Sequence, residues 1–253
     1  KTEYIHLPID TKYFKDIEYD ILSIFDDIDE ELNGILIKSE NYQALNLLKN
    51  KYEEKVQTVY IDPPFNTGRD FLYLDKYQDS SWLCLMEDRL KLSKEYLKKT
   101  GNFFLHLDQN ANYYGRLILN QIFGDDNFRN EIIWKYFGAG QSDKQLKRKH
   151  DNIYFFAIEK DNYFSWEAIA EKFGEKQIAK YSGVDELGRR FKEYTHKDGK
   201  VYKKYLDEEN GLIPSIDVWE IPIIQSWNEK IKIFDTQKPE ALLKRIILCS
   251  SNE

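Results

Sequence analysis

One stretch, Val56–Ile61, most constrains the fold of this chain. Its residues are apolar or β-branched almost without interruption, and the run stops abruptly at Asp62-Pro63-Pro64. A strand in the middle of a parallel sheet shows this near-continuous pattern because helices cover both of its faces. The stretch therefore predicts a buried parallel strand that ends at a rigid turn.

Apolar patterns along the rest of the chain alternate between strands and helices. In chain order they predict a strand at 35–38, a helix through Ala44, Leu45, Leu47 and Leu48, the strand Val56–Ile61, a helix from Asp79 or Ser80 to Gly101, a strand at 102–107, a helix through Tyr113, Leu117, Ile118 and Ile122, strands at 131–134 and 152–158, and a helix that starts near Thr236. This alternation is typical of a doubly wound α/β sheet. The polar, tyrosine-rich residues 160–217 interrupt it, and their turn signals favour an inserted module.

Charge is unevenly distributed along the chain. Residues 16–31 hold eight acids and no base, and removing them from the net charge of −7 leaves +1 for the rest. This acidic stretch fits a solvated helix face or a partner surface. A basic cluster at Lys135, Lys144, Lys147, Arg148 and Lys149 fits either a solvated loop or a polyanion-binding surface, because local charge matters more than the total.

The cysteine and apolar content favour a cytoplasmic protein. Cys84 and Cys249 are isolated and have neither metal-ligand nor disulfide spacing, so we expect reduced thiols in the core. No apolar run is long enough to cross a membrane. The four histidines lack ligand spacing, so we expect no catalytic metal. His106, two residues before Asp108 on the same strand face, fits either a general base or a buried structural histidine.

The tetrapeptide Asp62-Pro63-Pro64-Phe65 carries the most chemical information. It follows a central strand at the sheet edge where open α/β sheets bind their ligands. An exocyclic base amine is a poor nucleophile because its lone pair is conjugated into the ring. The Asp62 carboxylate and the Pro63 carbonyl could accept both amine hydrogens and draw that lone pair out of conjugation. Prolines fix the backbone that presents the carbonyl, and Phe65 offers a stacking face for a flipped-out base. A plain Pro-Pro turn is the alternative.

The longer string from Tyr60 to Gly68 resembles the catalytic motif of beta-class DNA amino-methyltransferases, especially the modification (Mod) subunits of type III restriction–modification systems. That family commonly has Tyr where this chain has Phe65. Residues 36–41, the helix with Trp82 and Met86, the string at 101–108 and the segment at 236–240 are also similar to the family, in its order.

The resemblance implies a Rossmann-like, circularly permuted S-adenosylmethionine-dependent methyltransferase fold and a reaction at the N6 amine of adenine in DNA. It implies S-adenosylmethionine as cofactor, with no metal. The implied catalytic residues are Asp62, Pro63, Pro64 and Phe65. The implied cofactor-binding residues are Glu40, Asp62, Thr236, Gln237, Lys238 and Pro239. For DNA contact we expect Phe137, Lys144, Lys147, Arg148 and Lys149.

The resemblance also predicts a domain order. We expect an acidic extension at 1–32, a first part of the catalytic core at 33–137, a target-recognition insertion at 138–217 and a return to the core at 218–253. The family's Phe-x-Gly-x-Gly cofactor loop would follow residue 253, so we expect a fold that is incomplete in this chain and a fragment that is inactive alone.

Several alternatives stay open. Cytosine-N4 methylation uses the same geometry, although Asp62 favours adenine, and RNA methylation or a non-catalytic DNA- or partner-binding module are further possibilities. The family implies double-stranded DNA as substrate, a homodimer, and a restriction (Res) subunit as partner.

Overall fold

The structure, a computed structural model, describes residues 13–68, 75–137, 144–224 and 236–252. The chain divides into two compact units, an N-terminal unit up to Glu40 and a main unit from Asn41 onwards. No helix within these described ranges is long and apolar enough to span a membrane.

The N-terminal unit contains two short helices, α1 (Glu18–Leu22) and α2 (Ile28–Glu31). The strand predicted at 35–38 is wrong, because these residues have no regular structure. Ile35, Leu36 and Ile37 are 52%, 100% and 46% exposed. Apolar composition alone does not produce a strand, because the backbone N–H and C=O groups of a strand also need a neighbouring strand to pair with.

The main unit follows the predicted alternation in its first half. Its elements there are α3 (Asn41–Tyr52), β1 (Val56–Ile61), α4 (Asp79–Tyr96), β2 (Leu97–Leu107), α5 (Asn112–Phe123), β3 (Phe128–Lys135) and β4 (His150–Ala157). The second half contains β5 (Glu171–Lys172), α6 (Glu175–Ile178), β6 (Gly183–Val184), β7 (Arg190–Thr195), β8 (Val201–Tyr205), β9 (Leu212–Ile213), β10 (Val218–Glu220) and α7 (Glu240–Ser250).

Two predicted helix boundaries are wrong. Helix α4 ends at Tyr96, and the residues before Gly101 already belong to β2. Helix α7 begins at Glu240 with Pro239 as its N-cap residue, so Thr236 lies in the loop before the helix.

The central sheet has the strand order β1-β2-β4-β3-β10. Strand β1 pairs in parallel with β2, and β3 with β10, whereas β4 is antiparallel to both of its neighbours. Strands β1, β2 and β3 therefore end at the same edge of the sheet, where β4 begins. Within the described residues β1 is an edge strand and is half-buried along its length, so the expectation of a fully buried central strand is wrong.

Helices cover both faces of this sheet. One apolar cluster joins α4 and α5 to alternate residues of β2 and β4. It includes Trp82 of α4, Phe103 and Leu105 of β2, and Phe156 of β4. A second cluster on the opposite face joins α7 to the intervening residues and includes Phe104, Trp134, Phe155 and Leu242. Strand β2 is thus buried on both sides, and His106 lies on the face that α7 covers.

The region predicted as an insertion, 138–217, divides structurally. Strand β4 falls inside this range but lies in the central sheet between β2 and β3. The later strands form a separate three-stranded sheet, β6-β7-β8, and a two-stranded sheet, β5-β9.

Candidate active site

Four polar side chains meet at the edge of the sheet where β1, β2 and β3 end. Asp62 directly follows β1, Asp108 follows β2, and Tyr136 follows β3, while Asp151 lies at the start of β4. Open α/β sheets place ligand sites at this edge because the loops after parallel strands diverge there.

A buried tryptophan of α4 anchors residues 62–65, the DPPF loop, through a hydrogen bond. The indole Nε1–H of Trp82 donates a 2.8 Å hydrogen bond to the carbonyl oxygen of Pro64, and Trp82 is 1% exposed. Among the described residues, no donor contacts the Pro63 carbonyl oxygen. The loop is therefore anchored through one carbonyl while the neighbouring carbonyl keeps its acceptor capacity.

The segment after the DPPF loop is fixed by Asp75. The Asp75 carboxylate accepts hydrogen bonds from the backbone N–H groups of Asn66 and Thr67, at 2.9 and 3.0 Å, and from the Thr67 hydroxyl. Asn66 has a φ of 57°, a left-handed conformation that Asn tolerates better than most residues. Asp75 was not predicted as a site residue, because nothing in its local pattern distinguishes it from a loop acid.

The carboxylate of Asp62 has two chemically different oxygens. Oδ2 forms a 2.5 Å ion pair with the Lys238 ammonium, which also lies 5.4 Å from the centre of the Phe65 ring. Oδ1 lies 3.8 Å from His106 Nδ1, beyond hydrogen-bonding distance. Within the described ranges no donor is bonded to Oδ1, so this oxygen can accept a hydrogen bond from a ligand.

His106 is fully buried and hydrogen-bonded through both ring nitrogens. Nε2 lies 3.1 Å from Asp151 Oδ2, and Nδ1 lies 2.8 Å from the Tyr60 hydroxyl oxygen. The Tyr136 hydroxyl donates to the other Asp151 oxygen at 3.1 Å. Of the two sequence alternatives for His106, this arrangement favours a buried histidine with satisfied nitrogens.

These side chains surround a cavity of about 700 Å³. Its lining residues are Asp62, Pro63, Pro64, Phe65, Thr67, Asp75, Tyr77, Asp108, Gln109, Asn110, Tyr136, Arg148, His150, Asp151, Thr236 and Lys238. The volume lies within the range of small-molecule and cofactor sites. It brings together loops that are far apart in sequence, since residues 62–65 and 236–238 share one wall.

Burial perturbs two ionisable groups of the cavity. It raises the pKa of the Asp108 carboxyl above its ordinary value, and a hydrogen bond from the Asn110 backbone partly offsets this. Burial, together with the nearby Asp151 carboxylate, also raises the pKa of the Tyr136 hydroxyl. Tyr136 therefore stays protonated and can act as a hydrogen-bond donor at neutral pH.

The predicted site residues fall into three groups. The DPPF loop, Thr236 and Lys238 line the cavity, and Gln237 and the buried Pro239 continue the same loop. Glu40 is the last residue of the N-terminal unit. The predicted DNA-contact residues Phe137, Lys144, Lys147 and Arg148 are exposed, Lys149 is half-buried, and Arg148 also lines the cavity.

The chain matches a known family over most of its length. The family described as DNA methylase, the N6/N4 methyltransferases, matches residues 56–253. This chain belongs to the N6/N4 DNA methylase family. Methyltransferases of this family use S-adenosylmethionine, so the predicted family and the class of cofactor are confirmed.

Individual relatives agree with this assignment. The chain is 36% identical over 136 residues to the probable type III restriction-modification enzyme HindVI Mod subunit of Haemophilus influenzae, which covers 52% of this chain and 18% of that protein. It is 26% identical over 212 residues to the DNA adenine methyltransferase YhdJ of Escherichia coli, which covers 83% of this chain and 65% of that protein. The chain spans less than a third of the length of the type III Mod subunits that it matches.

A solved structure identifies the fold. The PvuII DNA methyltransferase (cytosine-N4-specific) superposes with a TM-score of 0.51 over 83% of this chain and 68% of that chain, at 11% sequence identity. At this identity the similarity establishes the fold alone. The predicted α/β methyltransferase fold is confirmed.

The cavity fits the family's cofactor in size and in chemistry. Its volume suits a nucleoside-sized ligand, and its carboxylates suit a ligand that carries positive charge and hydroxyl donors. Within the described part of the chain no cluster of three potential metal ligands is present.

Proposed function

We propose that the protein containing this chain is an S-adenosylmethionine-dependent DNA methyltransferase that acts on the N6 amine of a flipped-out adenine, in a restriction–modification system. The observation that carries this proposal is the Asp62 carboxylate. It lies at the cavity beside the Phe65 ring, with Oδ2 paired to Lys238 and Oδ1 without a donor among the described residues. The adenine target is supported by Asp62 and by the similarity to YhdJ.

The residues of the DPPF loop would prepare the amine for reaction. Asp62 Oδ1 and the Pro63 carbonyl oxygen would each accept one amine hydrogen, which draws the nitrogen lone pair out of conjugation with the ring. Pro64, whose carbonyl is bonded to Trp82, would keep the acceptors in place. Phe65 would stack on the base. When bound, S-adenosylmethionine supplies an electrophilic methyl group.

For the cofactor we propose contacts from Glu40, Asp62, Thr236, Gln237, Lys238 and Pro239. Lys238 is the residue of this set that is best tested, because its ammonium already lies in the cavity wall. Lys238→Met should weaken S-adenosylmethionine binding in calorimetry. Lys244→Met, at an exposed lysine of α7, is the matched control and should bind as the wild type does. Equal affinities for all three proteins would remove Lys238 from the set.

We further propose that the protein works in the cytoplasm on double-stranded DNA, and that residues 138–217, apart from the central strand β4, carry target recognition. Phe137, Lys144, Lys147, Arg148 and Lys149 would contact the DNA, which the exposure of the first four and the position of Arg148 at the cavity support. A homodimer and a restriction subunit are proposed as partners from the similarity to type III Mod subunits.

The decisive experiment measures methylated bases directly. The complete reading frame that encodes this chain would be expressed in a methylation-deficient host, and the host DNA would be digested and analysed by mass spectrometry. We expect N6-methyladenine in the wild type, none in Asp62→Ala, and the wild-type amount in Asp126→Ala. Asp126 is an exposed aspartate after α5 and serves as the matched control.

Other products would change the proposal. N4-methylcytosine that disappears in Asp62→Ala would retain the mechanism and overturn adenine as the target. If a folded wild-type protein produced neither methylated base, DNA methylation would be overturned in favour of an RNA target or a non-catalytic binding module.

A further inference from the structure

Four buried or half-buried side chains next to the DPPF loop form a hydrogen-bonded network. Tyr60 contacts His106 Nδ1, His106 Nε2 contacts Asp151, and Tyr136 contacts the second oxygen of Asp151. His106 is 0% exposed, and Asp151 is 8% exposed. A buried carboxylate and a buried imidazole are stable only if their hydrogen bonds are complementary.

The donors and acceptors of these four side chains define one tautomer of His106. A carboxylate only accepts, so both His106 Nε2 and the Tyr136 hydroxyl must donate to Asp151. Burial, together with the charges of Asp62 and Asp151, raises the pKa of Tyr60, so its hydroxyl keeps its proton. If Tyr60 donates that proton to a bare Nδ1, every group is satisfied by a neutral imidazole with its hydrogen on Nε2.

This imidazole contacts the DPPF loop without hydrogen-bonding to it. Its ring centre lies 5.5 Å from that of Phe65, and it forms a T-shaped pair with Trp134 at 5.3 Å between ring centres. His106 Nδ1 lies 3.8 Å from Asp62 Oδ1. An unprotonated His106 Nδ1 offers no proton to Asp62 Oδ1. A protonated Nδ1 would compete with the target amine for the lone pair of Asp62 Oδ1.

We propose that His106 and Asp151 form a positioning pair: Asp151 holds the imidazole as the neutral Nε2–H tautomer, and the imidazole supports Phe65 while leaving Asp62 Oδ1 available to the target amine. This inference rests on the proposed function, because it takes Asp62 as the acceptor for that amine. Neither residue needs to exchange a proton with the substrate.

The tautomer can be measured in the wild-type protein. In ¹⁵N NMR of the full-length protein at neutral pH, the His106 ring should show a protonated Nε2 and an unprotonated Nδ1, with His106→Gln used only to assign the signal. An imidazolium, or a hydrogen on Nδ1, would overturn the proposal whether or not the protein methylates DNA.

The kinetic test separates positioning from binding. Asp151→Ala should lower the single-turnover methylation rate on the order of 10- to 100-fold, since a small displacement of reacting groups has effects of this size. The loss of rate should persist at saturating concentrations of S-adenosylmethionine and DNA, which separates it from any weakening of ligand binding at the cavity that Asp151 also lines. Asp151→Asn, which restores an acceptor oxygen at the same place, should recover most of the rate, and Asp126→Ala should match the wild type.

The remaining outcomes each decide the matter. A wild-type rate in Asp151→Ala, or a loss confined to ligand affinity, would overturn positioning while leaving the proposed function intact. If Asp151→Ala does not fold, as judged by circular dichroism, the wild-type tautomer and Asp151→Asn still test the pair. Absence of methylation in the wild type itself would reject the proposed function and, with it, the assignment of this pair to catalysis.

Discussion

Trp82 shows how one hydrogen bond can fix a reactive loop. Its indole N–H bonds to the Pro64 carbonyl from a fully buried position at the start of α4. The two prolines restrict the backbone torsions of the DPPF loop, but they cannot hold the loop against the sheet because proline has no N–H to donate. The loop therefore depends on a donor from another element.

Replacing Trp82 with Phe should lower both stability and turnover. The change leaves the Pro64 carbonyl without its partner, which costs about 1–3 kcal/mol in the free energy of unfolding. It also loosens the acceptors that would orient the amine, so the single-turnover methylation rate should fall more than the affinity for S-adenosylmethionine. Urea denaturation and rapid-quench kinetics measure the two effects.

Trp219→Phe is the matched control. Trp219 is also buried and donates its indole N–H to a carbonyl, that of Ile216, at 2.9 Å. It lies in the apolar cluster on the α7 face, away from the DPPF loop. Both variants should lose similar stability, but only Trp82→Phe should lose turnover. Equal turnover in the two variants would show that the Pro64 bond has no catalytic consequence.

At the scale of elements, helix α5 approaches β2 closely through Gly115. A Cβ atom at Gly115 would lie 2.2 Å from Leu107 Cδ1 and 3.3 Å from Leu105 Cδ2. Gly115→Val should therefore overpack the interface and lower the free energy of unfolding by about 1–3 kcal/mol. Leu117→Val on the exposed face of the same helix introduces the same β-branched side chain without the overlap and should cost below about 0.7 kcal/mol. Similar losses in urea denaturation would contradict this packing.

The two cysteines report separately on α4 and α7. Cys84 of α4 is exposed, so the expectation of a core thiol is wrong there, whereas Cys249 on the inner face of α7 is buried, and burial raises its pKa to about 11. At pH 8 only about one part in a thousand of Cys249 would be thiolate, so iodoacetamide should modify Cys84 and spare Cys249 in the folded protein. Mass spectrometry locates the label, and urea should expose both thiols. Rapid labelling of Cys249 before unfolding would mean that α7 does not pack as described.

Sequence patterns predicted elements well where the signal is local. The bounds of β1 match the predicted strand because a continuous apolar run and the following prolines mark both of its ends. The start of β2 was missed because Lys98, Lys99 and Thr100 look like a polar helix end, although Leu97 already pairs with Val56 of β1. The strand expected at 35–38 does not form because its apolar residues pair with no neighbouring strand among the described residues. Pairing between strands is a property of the sheet and leaves little trace in either strand alone.

At the scale of the whole molecule, the candidate site was only partly readable from the sequence. Asp62 and Lys238 were both selected from motifs, and the structure brings them within 2.5 Å. Asp151 and Asp75 were not selected, because each acquires its role through hydrogen-bonding partners, 45 and 8 to 9 residues away, that no local pattern links to it. Motifs identify residues whose chemistry is recognisable alone, whereas hydrogen-bonded networks emerge only when the fold brings their members together.

The distribution of charge over the whole molecule makes the last prediction. The protein is acidic overall, yet Lys144, Lys147, Arg148 and Lys149 form a basic segment that precedes β4 and reaches the cavity through Arg148. If this segment binds phosphates, changing all four residues to Gln should make the slope of log K against log salt for DNA binding shallower, by about 0.9 for each phosphate that is no longer neutralised. The affinity for specific and non-specific DNA should fall alike, since phosphate binding carries no sequence information.

The control for this prediction removes the same charge elsewhere. Lys91, Lys98, Lys99 and Lys244 are exposed on α4, β2 and α7 and do not line the cavity. Changing these four to Gln alters the net charge equally, so any general electrostatic effect is common to both variants. Fluorescence anisotropy between about 50 and 200 mM salt gives the slopes. A shallower slope in the first variant alone assigns phosphate binding to the basic segment, whereas equal slopes in both variants would leave that segment as a solvated loop.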